Sequence, residues 1–188
     1  MVDIIYRIAT SDADRSKALL FIEHHGQKWH RCSPPKTEGI IITACLGDEI
    51  IGTVTLDFRN ENQVFPLEEY YDFLYLWKYF PLLRRENMVQ GGRWFSNKPY
   101  TEVSRMLLHA IAEYSLPKGA QYLIAEVKHT SIKRLEELGI KFVILEGVQP
   151  NLDMIPHVGI QYYCDTPSPR LMIIDLSILY IPGKRILR

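Results

Sequence analysis

The chain has 188 residues, 47% of them apolar and 23% charged, which is enough for one domain with a full core and ordinary for a globular protein. Its 22 basic and 22 acidic side chains cancel, which excludes the broad positive field of a general nucleic-acid binder and leaves a local basic patch at Arg84, Arg85, Lys98 and Arg105. Cys32, Cys45 and Cys164 lack metal-ligand spacing, no leader pattern opens the sequence and no apolar run is long enough for a bilayer, so the expectation is a reduced cytoplasmic protein with no membrane span and no metal.

Ile4 to Ala9 alternates and is rich in β-formers, which predicts a first strand. Thr10-Ser11-Asp12 starts a helix with Asp14 in its first turn, and Gly26 is the expected stop after His25. Residues 27 to 38, with Pro34-Pro35, read as a loop. Gly39 to Leu46 and Glu49 to Phe58 are two strands joined by the tight turn Gly47-Asp48, a hairpin. Pro66 to Phe80 reads as an aromatic helix with Glu68-Glu69 in its first turn. Next come a strand at 91–96, a polar turn at Asn97 to Thr101, a helix from Glu102 to Leu116, a strand at Tyr122 to Val127 and a helix from Ser131 to Leu138, closed by Gly139. Ile140 to Leu145 is a further strand, 146 to 169 reads as a loop with four prolines, and Arg170 to Leu179 is a last strand followed by a basic tail. The order β-α-β-β-α-β-α-β-α-β-β predicts one α/β domain over residues 1–188, with a mixed sheet flanked by helices.

The block from Gln90 to Gly139 is the best candidate for a site. A polar turn that feeds a helix start leaves backbone N–H groups free for a phosphate. Lys98 and Arg105 add positive charge there, and Thr101 and Ser104 are capping hydroxyls that serve a phosphate or the helix equally well. His24, His25 and His30 do not form a metal set, because adjacent helical residues cannot face one ion.

The element order, the hairpin before a strand–turn–helix site, and an ordered set of residues together resemble the GNAT-type N-acyltransferases. The set runs through Gly52-Thr53-Val54-Thr55-Leu56, Pro66-Leu67-Glu68, Gly92-Arg93-Trp94, Leu107-Leu108-His109-Ala110, Val127-Lys128-His129, Arg134, Leu138-Gly139-Ile140 and Ile173-Ile174-Asp175-Leu176. Within that group the chain is most similar to the branch holding N-acyl amino acid synthases and acyl-homoserine-lactone synthases. The resemblance implies a V-shaped splay between strands 91–96 and 122–127. There an acyl thioester of acyl carrier protein or coenzyme A is attacked by an amine, and a medium or long fatty acyl group passes to an amino acid-like acceptor. It implies Phe95, Ser96, Asn97, Lys98, Thr101, Ser104 and Arg105 as donor-binding residues, Trp94, Tyr71 and Tyr75 as walls of the acyl pocket, and Arg93, Gln90, Glu126 and His129 as the catalytic candidates. An acidic carrier protein would meet Arg84, Arg85, Lys98 and Arg105, and a homodimer is compatible with pairing through the last strand.

Four departures qualify what the resemblance implies. The stretch Pro99-Tyr100-Thr101-Glu102-Val103-Ser104 lacks the glycines of an acetyl-coenzyme A turn. Leu135 stands where many acetyltransferases carry an acidic tyrosine. Gln90 stands where the synthases place a glutamate. The acidic residues and hairpin arginine of lactone synthases have no match in residues 27 to 57. Glu126, which alternation places with Lys128 opposite Ala125 and Val127, is the substitute base. The alternative is a GNAT-fold module that binds acyl thioesters or lipids for regulation and has lost the chemistry.

Overall fold

Strand alternation and turn chemistry build the sheet outward from the hairpin. In the computed structural model, which describes residues 4–31, 37–97, 101–155, 157–165 and 167–180, β1 (Ile4–Ile8), β2 (Ile40–Leu46) and β3 (Glu49–Phe58) form an antiparallel meander. The β2–β3 turn puts Gly47 at φ +63, a left-handed angle that glycine adopts without a Cβ penalty. With β4 (Met88–Ser96), β5 (Tyr122–Val127), β6 (Val143–Ile144) and β7 (Arg170–Asp175) the sheet has seven strands in the order β1-β2-β3-β4-β5-β7-β6. The β4–β5 pair is parallel and the other pairs are antiparallel.

The helices are α1 (Asp12–His30), α2 (Phe73–Tyr79), α3 (Thr101–Ser115), α4 (His129–Glu137) and α5 (His157–Cys164). Helix α3 covers one face of the sheet. Its Val103, Leu107, Leu108 and Ile111 pack with Leu56, Leu123, Val127 and Ile174. A Cβ on Gly52 would stand 2.7 Å from Val103 Cγ1, so only glycine allows this approach of α3 to β3. On the other face Leu67, Phe73 and Leu76 pack with Met88, Ile124, Leu171 and Ile173. Residues of β5 and β7 alternate between these two cores, as the period of two requires.

Strand β4 begins three residues before the expected 91 and α4 two residues before the expected 131, and five larger differences from the sequence expectation each have a local reason. Helix α1 passes through Gly26 to His30 and stops at Arg31, whose φ of 52 is left-handed. Gly26 lies on the buried face with Ala18, Ile22 and His25, and that packing outweighs the ~1 kcal/mol that glycine costs within a helix. The 66–80 segment is split into a 3-10 turn at Pro66–Glu69 and α2. Between them Tyr71 bridges Pro150, and the Asp72 carboxylate accepts from Leu74 N at 2.9 Å to start the second piece. The strand expected at 140–145 is reduced to Val143–Ile144. The stretch read as loop contains α5. The last strand ends at Asp175, which accepts from Ser177 N at 2.9 Å and turns the chain into a 3-10 turn at Leu176–Leu179. Strand β7 lies between β5 and β6, and β6 pairs with only Met172 and Ile173 of it.

Candidate active site

The site begins where β4 and β5 part. They pair over four steps, from Met88↔Tyr122 to Gly91↔Ala125, and no described pairing continues beyond. The cause lies on the other side of β4. Its ladder with β3 jumps from Thr55↔Gly92 to Thr53↔Phe95, so Arg93 and Trp94 together oppose Val54. This is a bulge, and Arg93 takes its left-handed position at φ 48. The bulge bends β4 away from β5 while β5 stays paired to β7 through Glu126↔Leu171 and Val127↔Arg170. A Cβ on Gly91 would sit 2.8 Å from Leu123 Cδ1, so a larger residue at the last closed step would make the end of the Leu123 side chain move.

A cavity of about 630 Å³ opens at this splay and reaches both faces of the sheet. On the α3 face its walls include Val54, Leu108, Ile111, Leu123, Met172 and Ile174, all apolar. On the opposite face they include Tyr70, Gln90, Arg93, Glu126 and Tyr163. The volume is typical of a small-molecule site.

The polar side is built from buried and half-buried groups. Tyr163, on α5, donates from its hydroxyl to Glu126 Oε2 at 2.8 Å. The buried Tyr71 hydroxyl acts on the same carboxylate without reaching hydrogen-bond geometry, and Glu126 Oε1 has no partner among the described residues. Burial pushes the Glu126 carboxyl from its ordinary 4.5 up to about 7, against the opposing pull of Tyr163, Tyr71 and Lys128. Burial likewise holds the Tyr163 and Tyr71 hydroxyls above the ordinary tyrosine range, and the nearby Glu126 charge adds to it. Arg93 Nη1 donates to Thr55 Oγ1 at 3.2 Å, and its carbonyl accepts from Thr53 Oγ1 at 3.2 Å. Burial lowers the Arg93 pKa, while Asp57 and Tyr70 favour its charge. Asp57 is itself raised by burial and held 3.6 Å from Arg59. Gln90 lines the cavity, but its Oε1 accepts from Leu67 N at 3.0 Å and so anchors the 3-10 turn.

Three elements meet at the mouth. His30 of α1 stands edge-on to Tyr162 of α5, ring centroids 4.8 Å apart, and also touches Phe95 of β4. Lys128, at the end of β5, lies over the Tyr162 ring at 4.7 Å and donates to the carbonyls of Asp165 and Pro167 at 3.1 and 3.2 Å. Arg134 of α4 reaches Ser96 Oγ at 3.4 Å.

The structure brings Gln90, Arg93, Trp94, Phe95, Ser96, Asn97 and Glu126 together on this cavity. Others of the sequence candidates lie elsewhere. His129 is exposed at the first position of α4, because the chain turns away from the sheet at Lys128. Ser104 shares a helical face with Leu107, Leu108 and Ile111 and is fully buried, so it presents no hydroxyl to a donor. Arg105 is exposed and outside the cavity. Thr101 is the first residue of α3, and Lys98 lies outside the described residues. Tyr75 stands apart, its ring tilted against that of Tyr79 with centroids 4.4 Å apart, because the break at 70–72 re-aims α2; Tyr71 is buried near Glu126 and does not line the cavity. Arg85 is taken up by Glu68 at 2.8 and 2.6 Å and by the Trp77 ring. Tyr163, Tyr70 and His30 were not among the site candidates, and Lys128 and Arg134 entered only through the resemblance. The α5 residues were hidden by the surrounding prolines, and His30 by the expected stop at Gly26. No group of three or more metal-ligating side chains occurs among the described residues, and among them no helix is long and apolar enough to cross a membrane.

No family model and no curated protein sequence matches the chain. Solved structures do. The AHL synthase LasI aligns over 100% of both chains at 13% identity and a TM-score of 0.65. FeeM, an N-acyl amino acid synthase from uncultured soil microbes, aligns over 94% of this chain and 93% of its own at 12% identity and a TM-score of 0.62. An N-acetyltransferase from Staphylococcus aureus Mu50 aligns over 93% and 99% at 14% identity and a TM-score of 0.59. At these identities the likeness is one of fold, and the fold is that of the GNAT-type N-acyltransferases, as the sequence resemblance implied.

Proposed function

We propose that the chain is an N-acyltransferase. It moves a medium or long fatty acyl group from the thioester of acyl carrier protein, or of coenzyme A, to the amine of an amino acid-like acceptor. The observation that carries this is one cavity with two chemistries, an apolar chamber on one face of the sheet and a buried carboxylate with a guanidinium on the other. The acyl chain lies in the chamber lined by Leu108, Ile111, Met172 and Trp94. The thioester arm runs along the uncovered edge of β4 near Phe95, Ser96 and Asn97. Lys98 and the start of α3, with Arg105 nearby, meet the phosphate.

Arg93 receives the acceptor's carboxylate, an ion-pair geometry suited to guanidinium. The amine attacks the carbonyl carbon, a backbone N–H on the bare β4 edge stabilises the oxyanion, and Glu126 takes the amine proton. A carboxyl at about 7 is half ionised at neutral pH, which suits a general base. Gln90 cannot take that role, since a neutral amide does not accept a proton there. The donor turn without glycines favours carrier protein over coenzyme A. A reducing cytoplasmic environment and a homodimer are compatible with this reading.

The test is incubation with acyl carrier protein and coenzyme A thioesters of graded chain length and pooled amino acids, read by mass spectrometry. Free thiol together with an N-acyl product is expected. Thermal stabilisation by a thioester that stays intact would instead support the binding module, a role that the occupied Gln90 side chain favours.

A further inference from the structure

We propose that Tyr163 is the proton donor to the departing thiol, with Glu126 behind it as the group that refills it. This rests on the acyl-transfer reading above and assigns the half of the reaction left open there.

Breaking a thioester releases a thiolate, and an alkyl thiolate leaves far more readily when it receives a proton. Leu135 is fully buried and has no proton to give. On the polar face of the cavity, Tyr163 has the needed chemistry. It lines the cavity from α5, and its hydroxyl lies 2.8 Å from Glu126 Oε2. A hydroxyl has one donor and two acceptor sites, so it can give its proton to sulfur while accepting another from a carboxyl. Glu126 sits at the first β5 position beyond the last closed step, Gly91↔Ala125, which is where the splay admits a thioester. Its other side is fixed by pairing with Leu171. Lys128, one step past the strand, ties the segment after α5 to the end of β5 through the carbonyls of Asp165 and Pro167, which holds Tyr163 against the carboxylate.

The step balances. The nitrogen of a neutral amine forms the C–N bond, and Glu126 Oε2 takes one proton from it. As the C–S bond breaks, its electron pair goes to sulfur. The Tyr163 hydroxyl proton passes to sulfur and the proton on Glu126 passes to the tyrosine oxygen. One proton has moved from nitrogen to sulfur, and both side chains end as they began.

Two donors carrying the same acyl group separate this role from a structural one. One is an N-acetylcysteamine thioester, whose alkyl thiol needs a proton. The other is a 4-nitrothiophenyl thioester, whose acidic thiol leaves without one. In Tyr163→Phe the alkyl thioester rate should fall ~10²-fold or more further than the aryl thioester rate, in the range of general acid catalysis, the loss on the aryl donor being only that of a base deprived of its Tyr163 hydrogen bond. Glu126→Gln should lose activity on both donors. An equal loss on both donors in Tyr163→Phe, or none on either, overturns the assignment while leaving acyl transfer intact. If Tyr163→Phe does not fold, the wild-type chain decides: a larger slowing in heavy water with the alkyl than with the aryl donor supports the proton donor, and equal slowing overturns it. A folded wild-type chain that transfers from neither donor overturns acyl transfer, and this assignment with it.

Discussion

The two faces of the sheet meet one cavity with opposite chemistry. On the α3 face the lining is aliphatic, and a side chain there gains by burial alone. On the face of α2 and α5 the cavity is bordered by Arg93, Glu126, Tyr70 and Tyr163, each of which is costly to bury unless it is paired. The same strand supplies both: β5 sends Leu123, Ala125 and Val127 one way and Glu126 the other. A seam between strands therefore lets an apolar chain and a polar reaction share a cavity. The bulge at Arg93 creates that seam by bending β4 and, in the same step, supplies the guanidinium.

The sharpest way to break this contrast is to neutralise the polar face. Glu126→Gln keeps the shape and removes the base, so transfer should fall by ~10²–10⁴-fold, the usual range for a general base. Binding of the intact thioester, read by thermal shift, should persist. Retention of the wild-type rate would show that the carboxylate takes no part.

The apolar face should respond differently. Leu108→Phe adds volume to the chamber without touching the carboxylate. It should shorten the preferred acyl chain and cost about 10–200-fold in kcat/KM on the longest donors, the scale set by one or a few methylenes in an apolar pocket, with short-chain donors unaffected. Tyr75→Ala is the control, since Tyr75 lies outside the cavity. An unchanged chain-length profile in Leu108→Phe, with the fold checked by circular dichroism, would place the acyl group elsewhere.

Much of this frame was legible in the sequence, because alternation, the Gly47 turn and the helix start signals act locally. The hairpin and β5 fall where periodicity put them, and β5 alternation already set Glu126 apart from Val127. What was not legible depended on contacts distant in sequence. Tyr163 matters because α5 lies against the end of β5, 37 residues earlier in the chain. Ser104 looked like a phosphate ligand by position, but its helical face belongs to the core. Tyr75 and Tyr71 looked equivalent in an unbroken helix, and the bridge from Tyr71 to Pro150 separates their fates. Arg93 was legible as a residue, but its left-handed backbone, which opens the splay, was not, since nothing local marks an arginine for that conformation.

The smallest effect is on stability, and it tests whether Glu126 is strained by its surroundings. Its carboxyl is raised from 4.5 to about 7 by burial. The folded chain therefore holds a proton on this group that the unfolded chain has lost. The contribution is fully present below the unfolded value of 4.5 and disappears as the pH rises through about 7, where the fold must carry a buried charge. Glutamine has no proton to lose. Glu126→Gln should thus match wild type near pH 4.5 and exceed it at pH 8 by on the order of 2 kcal/mol, allowing for the weaker bond that an amide accepts from Tyr163. For a chain of this size that is about 4–8 °C in Tm. Wild-type transfer should rise over the same interval in which its stability falls, because the ionised form is both the base and the costly state. Parallel melting curves for the two proteins from pH 4.5 to 8 would mean that the carboxylate is already relieved, and the polar face would then be no more demanding than the apolar one.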